Sequence, residues 1–233
     1  MSRMGRPQRN AEGGLIYHVL NRANAGLSLF DDDEDYTAFE RVLVEAIARH
    51  EMRLLAYCLM PSHFHLLLWP RADGDLSQFM RWVTLTHTQR WHAYHGTAGT
   101  GHLYQGRFKS FPVESDVPFL TVCRYVERNA LRANLVERAE DWRWGSLAVR
   151  RARGEKDRPA LTPWPIDRPS DWKARVNRPF RPAEEEAVQR SLQRGQPFGS
   201  ESWQAAVAAR LGLESTFRPR GRPRKDAGST VPG

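Results

Sequence analysis

The stretch from Arg53 to Trp69 leaves this chain little freedom. Two apolar runs, Arg53-Leu-Leu-Ala-Tyr-Cys-Leu59 and His63-Phe-His-Leu-Leu-Leu-Trp69, flank the short break Met60-Pro61-Ser62. Runs of this length, split by a proline turn, predict two adjacent antiparallel strands. Alternation puts His63 and His65 on one face, with Cα atoms about 6.6 Å apart. Phe64 and Leu66 point to the other face and anchor the strand in a core. Two neutral imidazoles side by side can grip one divalent cation. The pair alone is equally compatible with a half-buried strand whose polar face carries two histidines.

The flanking sequence supplies the rest of a sheet. Leu15-Ile-Tyr-His-Val-Leu20 predicts a first strand. The acidic run Asp31–Asp35 suits a helix N-terminus, and Tyr36, Phe39, Leu43, Ala46 and Ile47 recur at helical spacing to about His50. Leu76, Phe79, Met80, Val83, His87, Trp91 and Tyr94 mark the apolar face of a second long helix, on which His87 reads as a packed core residue. Gly96–Gly101 is a loop. Arg107–Val113 predicts a fourth strand, with Arg107 and Lys109 on one face and Phe108 on the other. Ser115 or Asp116 can cap a third helix, with Pro118 in its first turn and Phe119, Cys123, Val126 and Ala130 as its buried stripe. Strand, helix, two strands, helix, strand and helix predict an α+β fold: a ferredoxin-like antiparallel sheet with helices packed on it and one extra helix.

Charge narrows the partner. Thirty-five Lys and Arg against 27 Asp and Glu give a net charge of +8 over 233 residues. A basic chain with arginine-rich segments points to nucleic acid rather than to an anionic membrane surface. No apolar stretch is long enough to span a bilayer, so no membrane partner is expected. The first nine residues lack the apolar stretch of a secretory signal. Two cysteines, Cys58 and Cys123, make no disulfide framework, which fits the reducing cytoplasm.

Composition also divides the chain. Residues 1–13 form a basic arm in which Arg3 and Arg6 are candidate DNA contacts. Residues 14–149 hold the sheet and its helices. Residues 150–182 read as a Pro/Arg-rich linker, with six prolines between Pro159 and Pro182, that wraps or tethers rather than building a regular core. Residues 183–216 predict a small helical segment resembling a helix-turn-helix. The tail, 217–233, contains Pro219-Arg-Gly-Arg-Pro223, which matches the core of an AT-hook. There Gly221 permits close approach, and Arg220 and Arg222 can enter a narrow A·T-rich minor groove. Arg218, Arg224 and Lys225 extend the charge; a basic tail that binds any phosphate chain is the alternative.

Tyr125 and Asn129 sit four residues apart on the third helix, so their side chains share a face. A tyrosine hydroxyl is a poor nucleophile near neutrality unless its target phosphate is polarised. An amide oxygen can serve as a third ligand to a hard cation. On an ordinary helix the two would be a surface tyrosine and a surface amide.

Taken together, the His63-Phe-His65 strand and the Tyr125/Asn129 helix resemble the HUH single-strand endonucleases, and most closely the REP-associated tyrosine transposases. Tyr17-His-Val-Leu-Asn-Arg22, Met60–Leu68, Tyr104-Gln-Gly-Arg-Phe-Lys109 and Arg124–Val136 carry the resemblance, which covers about residues 5–150. It implies a catalytic domain over 14–149, His63, His65 and Asn129 around Mg²⁺ or Mn²⁺, and Tyr125 as the nucleophile. It further implies cleavage and rejoining of single-stranded DNA near a hairpin, through a 5′-phosphotyrosine link, at the bacterial nucleoid. Arg107 and Lys109 are added as DNA contacts. Ala130 departs from the proline that many relatives carry after the asparagine. The rival reading is a DNA-binding regulator without catalysis on the same scaffold; a metal-dependent hydrolase with a structural Tyr125 is a third. Whether the chain works as a monomer or a homodimer stays open.

Overall fold

A computed structural model describes residues 11–24, 26–150 and 158–218. Four strands, β1 (Ile16–Arg22), β2 (Arg53–Met60), β3 (His63–Trp69) and β4 (Lys109–Val113), form one sheet in the order β2-β3-β1-β4, antiparallel throughout. Helix α1 (Asp33–His50) lies between β1 and β2 in sequence, and α2 (Asp75–Tyr94) between β3 and β4. This is the ferredoxin-like α+β layer the sequence predicts. The turn between β2 and β3 is pinned by the Pro61 carbonyl, which accepts from Leu29 N at 2.7 Å.

Parity decides which layer each side chain joins. Tyr17, Val19, Tyr57, Leu59, Phe64, Leu66 and Leu68 are buried on one face, against Phe39, Leu43, Phe79, Met80 and Val83 of α1 and α2. Burying each such side chain contributes about 1.5–3 kcal/mol. Asp32 caps α1, accepting from Glu34 N and Asp35 N at 2.9 and 3.0 Å. Tyr94 departs from the predicted apolar stripe of α2. It is 62% exposed and donates to Glu34 Oε2 at 2.6 Å, because the last turn of α2 overhangs the acidic start of α1.

The opposite face carries Ile16, Ala56, Cys58, Met60, Leu67, Phe111 and Val113. Helix α3 (Val117–Glu127) packs there through Phe119, Val122, Cys123 and Val126. The predicted third helix is interrupted: Arg128 separates α3 from the short α4 (Asn129–Arg132). At this break the Asn129 amide donates to the Tyr125 carbonyl at 3.2 Å, a side chain serving the backbone where the helix changes pitch. The predicted fourth strand also starts late, at Lys109. The chain before it first crosses the end of β1, with Tyr104 bridged to Ala23 and Gln105 N donating to Arg22 O at 3.0 Å. Both cysteines are buried and free. No helix among the described residues is long and apolar enough to cross a membrane.

The proline-rich segment lies over α3. It contains α6 (Trp172–Asn177), which follows the short α5 (Ser146–Val149), and buries Trp172 and Val176 against the α3 layer. Its anchor is the fully buried carboxylate of Glu127, which accepts from Ser146 Oγ and Trp172 Nε1, each at 2.7 Å, with Arg150 Nε at 3.5 Å. Helices α7 (Pro182–Arg194) and α8 (Glu201–Leu211) follow, the first closed by Gly195 at φ 72°.

Both rims of the sheet are engaged by the rest of the chain. On β2, Leu59 N donates to Trp144 O at 2.9 Å, and Leu54 O accepts from Thr162 N at 2.8 Å. On β4, Phe198 N donates to Pro112 O at 2.9 Å, and Glu114 N to Phe198 O at 3.0 Å.

Candidate functional site

Strand register assembles the site. Cys58 pairs with His65, His65 with Leu20, and Leu20 with Lys109, so one row across the sheet carries all four on the α3 face. The next row sets His63 opposite Arg22. His63 and His65 therefore share a face, with ring centroids 5.1 Å apart. Lys109 lies two strands from His65, about 10 Å across the sheet.

Helix α3 brings Tyr125 to this pair. Its ring centroid is 5.9 Å from that of His65, edge to face at 80°. The tyrosine is not on the surface: it is only 4% exposed. Phe180 flanks it at 6.2 Å, and the Arg132 guanidinium lies 5.5 Å over its ring. Arg132 is also paired with Glu185 of α7 at 2.8 Å. Asn129 is buried one turn on, its amide nitrogen committed to the Tyr125 carbonyl, so any metal contact it made would have to come from Oδ1.

Sequence reasoning assigned no role to His18. It lies on β1, one diagonal step from His65, with Nε2 2.9 Å from His65 Nδ1. It is fully buried and stacked on Phe111 with a centroid separation of 4.9 Å. Its parity with Leu20 and Arg22 was readable in the sequence; the β1–β3 pairing that makes parity matter was not. Arg22 and Arg132 are further neighbours that lie inside two of the resembling stretches but had no role assigned, and Phe180 lies in no motif.

Burial sets the electrostatics. It pushes His63 down to about 4, helped by the cations of Arg22 and Arg132, and pushes His65 well below the usual imidazole range. Both rings are therefore neutral near pH 7 and hold a free lone pair. Burial raises the Tyr125 phenol, with Arg132 opposing the shift and Glu185 adding to it. His18, and His87 at the far face, are each held down to about 3, chiefly by burial. These imidazoles take up protons less readily in the folded chain than in the unfolded one. Their contribution to stability is whole above about pH 6.5 and is lost as pH falls toward 3–4. Thermal melts between pH 7.5 and 4.5 should show Tm falling once pH drops below about 6.5; a flat Tm across that interval would contradict this assignment.

Of the remaining predicted contacts, Arg107 and Lys109 line a groove of about 770 Å³ together with Leu20, Arg22 and Gln105. Arg218 is exposed at the end of the short turn Glu214–Phe217, where its carbonyl accepts from Arg194. Arg3, Arg6, Arg220, Gly221, Arg222, Arg224 and Lys225, and with them the AT-hook-like motif, lie outside the described residues. No group of three or more His, Cys, Asp or Glu among the described residues is arranged to hold a metal ion. A metal here would rest on two imidazoles and an amide.

Comparison with known proteins agrees with this picture at the level of family and fold. Residues 12–129, just over half of the chain, match the family described as transposase IS200 like. Among solved structures the chain is similar to a REP-associated tyrosine transposase bound to a REP hairpin. The identity is 20%, the TM-score 0.52, and the match covers 72% of this chain and 93% of that one. A candidate transposase from Deinococcus radiodurans R1 matches at 17% identity and a TM-score of 0.38, over 55% of this chain and 96% of that chain. No curated protein sequence matches.

Proposed function

The chain belongs to the IS200-like transposase family, and on that premise we propose that it cuts and rejoins one strand of DNA through Tyr125. The observation that carries this reading is the meeting of two separate stretches of chain, β3 and α3, with the Tyr125 ring 5.9 Å from His65 and His65 5.1 Å from His63. The substrate of this reading is single-stranded DNA beside a hairpin; the structural relative is bound to a REP hairpin.

The donor set fits a divalent cation. His63 and His65 offer neutral nitrogens, Asn129 offers an amide oxygen, and none adds charge. Mg²⁺ or Mn²⁺ held there would act as a Lewis acid on the scissile phosphate. Tyr125 Oη forms a bond to phosphorus in line with the departing 3′ oxygen. The P–O3′ bond breaks, the 3′ oxygen ends as a free hydroxyl, and the phenol's proton balances its charge. The 5′-phosphotyrosine keeps the energy of the broken bond, so a second 3′ hydroxyl rejoins the strand by the reverse step. Because burial holds Tyr125 protonated, the Arg132 cation over its ring favours the phenolate as that proton leaves.

The groove beside the histidine row is the path for the flanking strand. Arg22, Arg107 and Lys109 supply cations there, and Asn21, Gln105 and Gln193 supply amides that can meet base edges. Replacing Arg107 and Lys109 together by Ala should weaken single-strand binding. It should also flatten the slope of log K against log salt by about 1.4, two phosphate contacts at about 0.7 each. An unchanged slope would remove both residues from the DNA path.

The proposal is tested by incubating the full chain with 3′-end-labelled hairpin DNA carrying single-stranded flanks and Mn²⁺, then running a denaturing gel. A labelled band at protein mobility is the expected result. Tight binding with no such band would favour the regulator, a reading that the burial of Tyr125 supports.

A further inference from the structure

We propose that His18 is a positioning residue: it accepts the Nδ1 proton of His65 and so commits the Nε2 lone pair of His65 to a divalent cation. The inference rests on the metal site proposed above, and its test is arranged so that the two can fail separately.

His18 is costly to the fold. It is fully buried on β1, stacked on Phe111 and paired across the strands with Leu67 and Phe111. In so apolar a place a phenylalanine would stack as well and bring no polar atoms. His18 instead carries two ring nitrogens, and only one is satisfied: Nε2 meets His65 Nδ1 at 2.9 Å, while Nδ1 is buried without a hydrogen-bond partner. Buried polar groups that stay unsatisfied are rare and carry a penalty. What the imidazole adds in return is its contact with His65.

That contact controls which nitrogen of His65 is available. Each neutral imidazole carries one N–H. If His18 Nε2–H donates, the proton of His65 sits on its own Nε2, and that nitrogen has no lone pair to give. If His65 Nδ1–H donates to His18 Nε2, the lone pair of His65 is on Nε2. Both arrangements satisfy the same 2.9 Å contact, but only the second is a ligand. A partner on the far nitrogen also fixes the ring plane, and the His18 and His65 rings are held at 45° with centroids 5.1 Å apart. His63 has a weaker counterpart, Ser62 Oγ at 3.2 Å from its Nδ1.

The test measures Mn²⁺ affinity by calorimetry on the full chain without DNA, beside thermal melts and metal-free hairpin binding. His18→Phe keeps the stack and removes the acceptor. It should loosen Mn²⁺ ten- to hundredfold, as outer partners of metal ligands commonly do, while metal-free hairpin binding stays at the wild-type level. Glutamine places an oxygen as many bonds from Cα as Nε2 is; asparagine falls one bond short. His18→Gln should therefore recover most of the Mn²⁺ affinity and His18→Asn should not. This pair decides the matter even if His18→Phe fails to fold, because both variants bury a similar amide. Equal affinity in the two, or wild-type affinity in His18→Phe alongside a weakened His65→Ala, would overturn the role of His18 and leave the metal site standing. Wild-type affinity in His65→Ala would overturn the metal site and this role with it.

Discussion

Tyr125→Phe should bind hairpin DNA as the parent does and form no covalent adduct, a loss of about a thousandfold or more in strand cleavage. The change removes one oxygen from a ring packed against His65 and Phe180. The ring contacts, the cation of Arg132 and the helix break at Arg128 do not depend on that oxygen, so the fold should be preserved. The same denaturing gel reads the outcome. Undiminished adduct in Tyr125→Phe would mean that another side chain attacks the phosphate. Cleavage without adduct, equal in both proteins, would mean that water attacks and that Tyr125 is packing.

Glu127→Ala is expected to cost about 3–5 kcal/mol of stability, the usual range for stripping one partner from a buried charged cluster. The carboxylate has three partners, and all lose it at once: the Ser146 hydroxyl, the Trp172 indole N–H and the Arg150 guanidinium. Neither neutral donor is well placed to find water, since Ser146 and Trp172 are 0% and 3% exposed. In a chain of this size the loss corresponds to roughly 10 °C in Tm. Glu127→Gln keeps an acceptor for one of the two neutral donors and should fall between the two. A Tm for Glu127→Ala within a degree or two of the parent would show that the segment over α3 is held by its apolar contacts alone.

The sheet was legible because its strands stand out as short apolar runs bounded by turns, with alternation assigning the faces of β3. His63 and His65 sit where parity put them, and α1 and α2 bury the predicted residues from Tyr36 to Trp91 except Ile47, which is half-buried. The long fourth strand failed at its start because Arg107 and Phe108 alternate correctly yet belong to a chain crossing β1, a tertiary fact invisible in a seven-residue window. Tyr125 read as a residue beside the buried stripe, since periodicity ranks it against its own helix only. What buries it is Phe180, which lies 55 positions later in a segment whose prolines gave no period to follow. His18 is the same lesson in a strand: its partner is fixed by sheet order, and sheet order is not written in either strand.

Backbone amides along the rims of a sheet recruit other strands wherever they are left open. Here Trp144 and Thr162 occupy one rim and Phe198 the other. Two copies of this chain therefore cannot fuse into a continuous eight-stranded sheet without first peeling away these contacts. Any dimer must be assembled through side-chain surfaces, where it would be sensitive to point substitution and to salt. The same closure withholds a template for fibril growth, so the apolar β2 and β3 pose little aggregation hazard while Trp144, Thr162 and Phe198 stay in place.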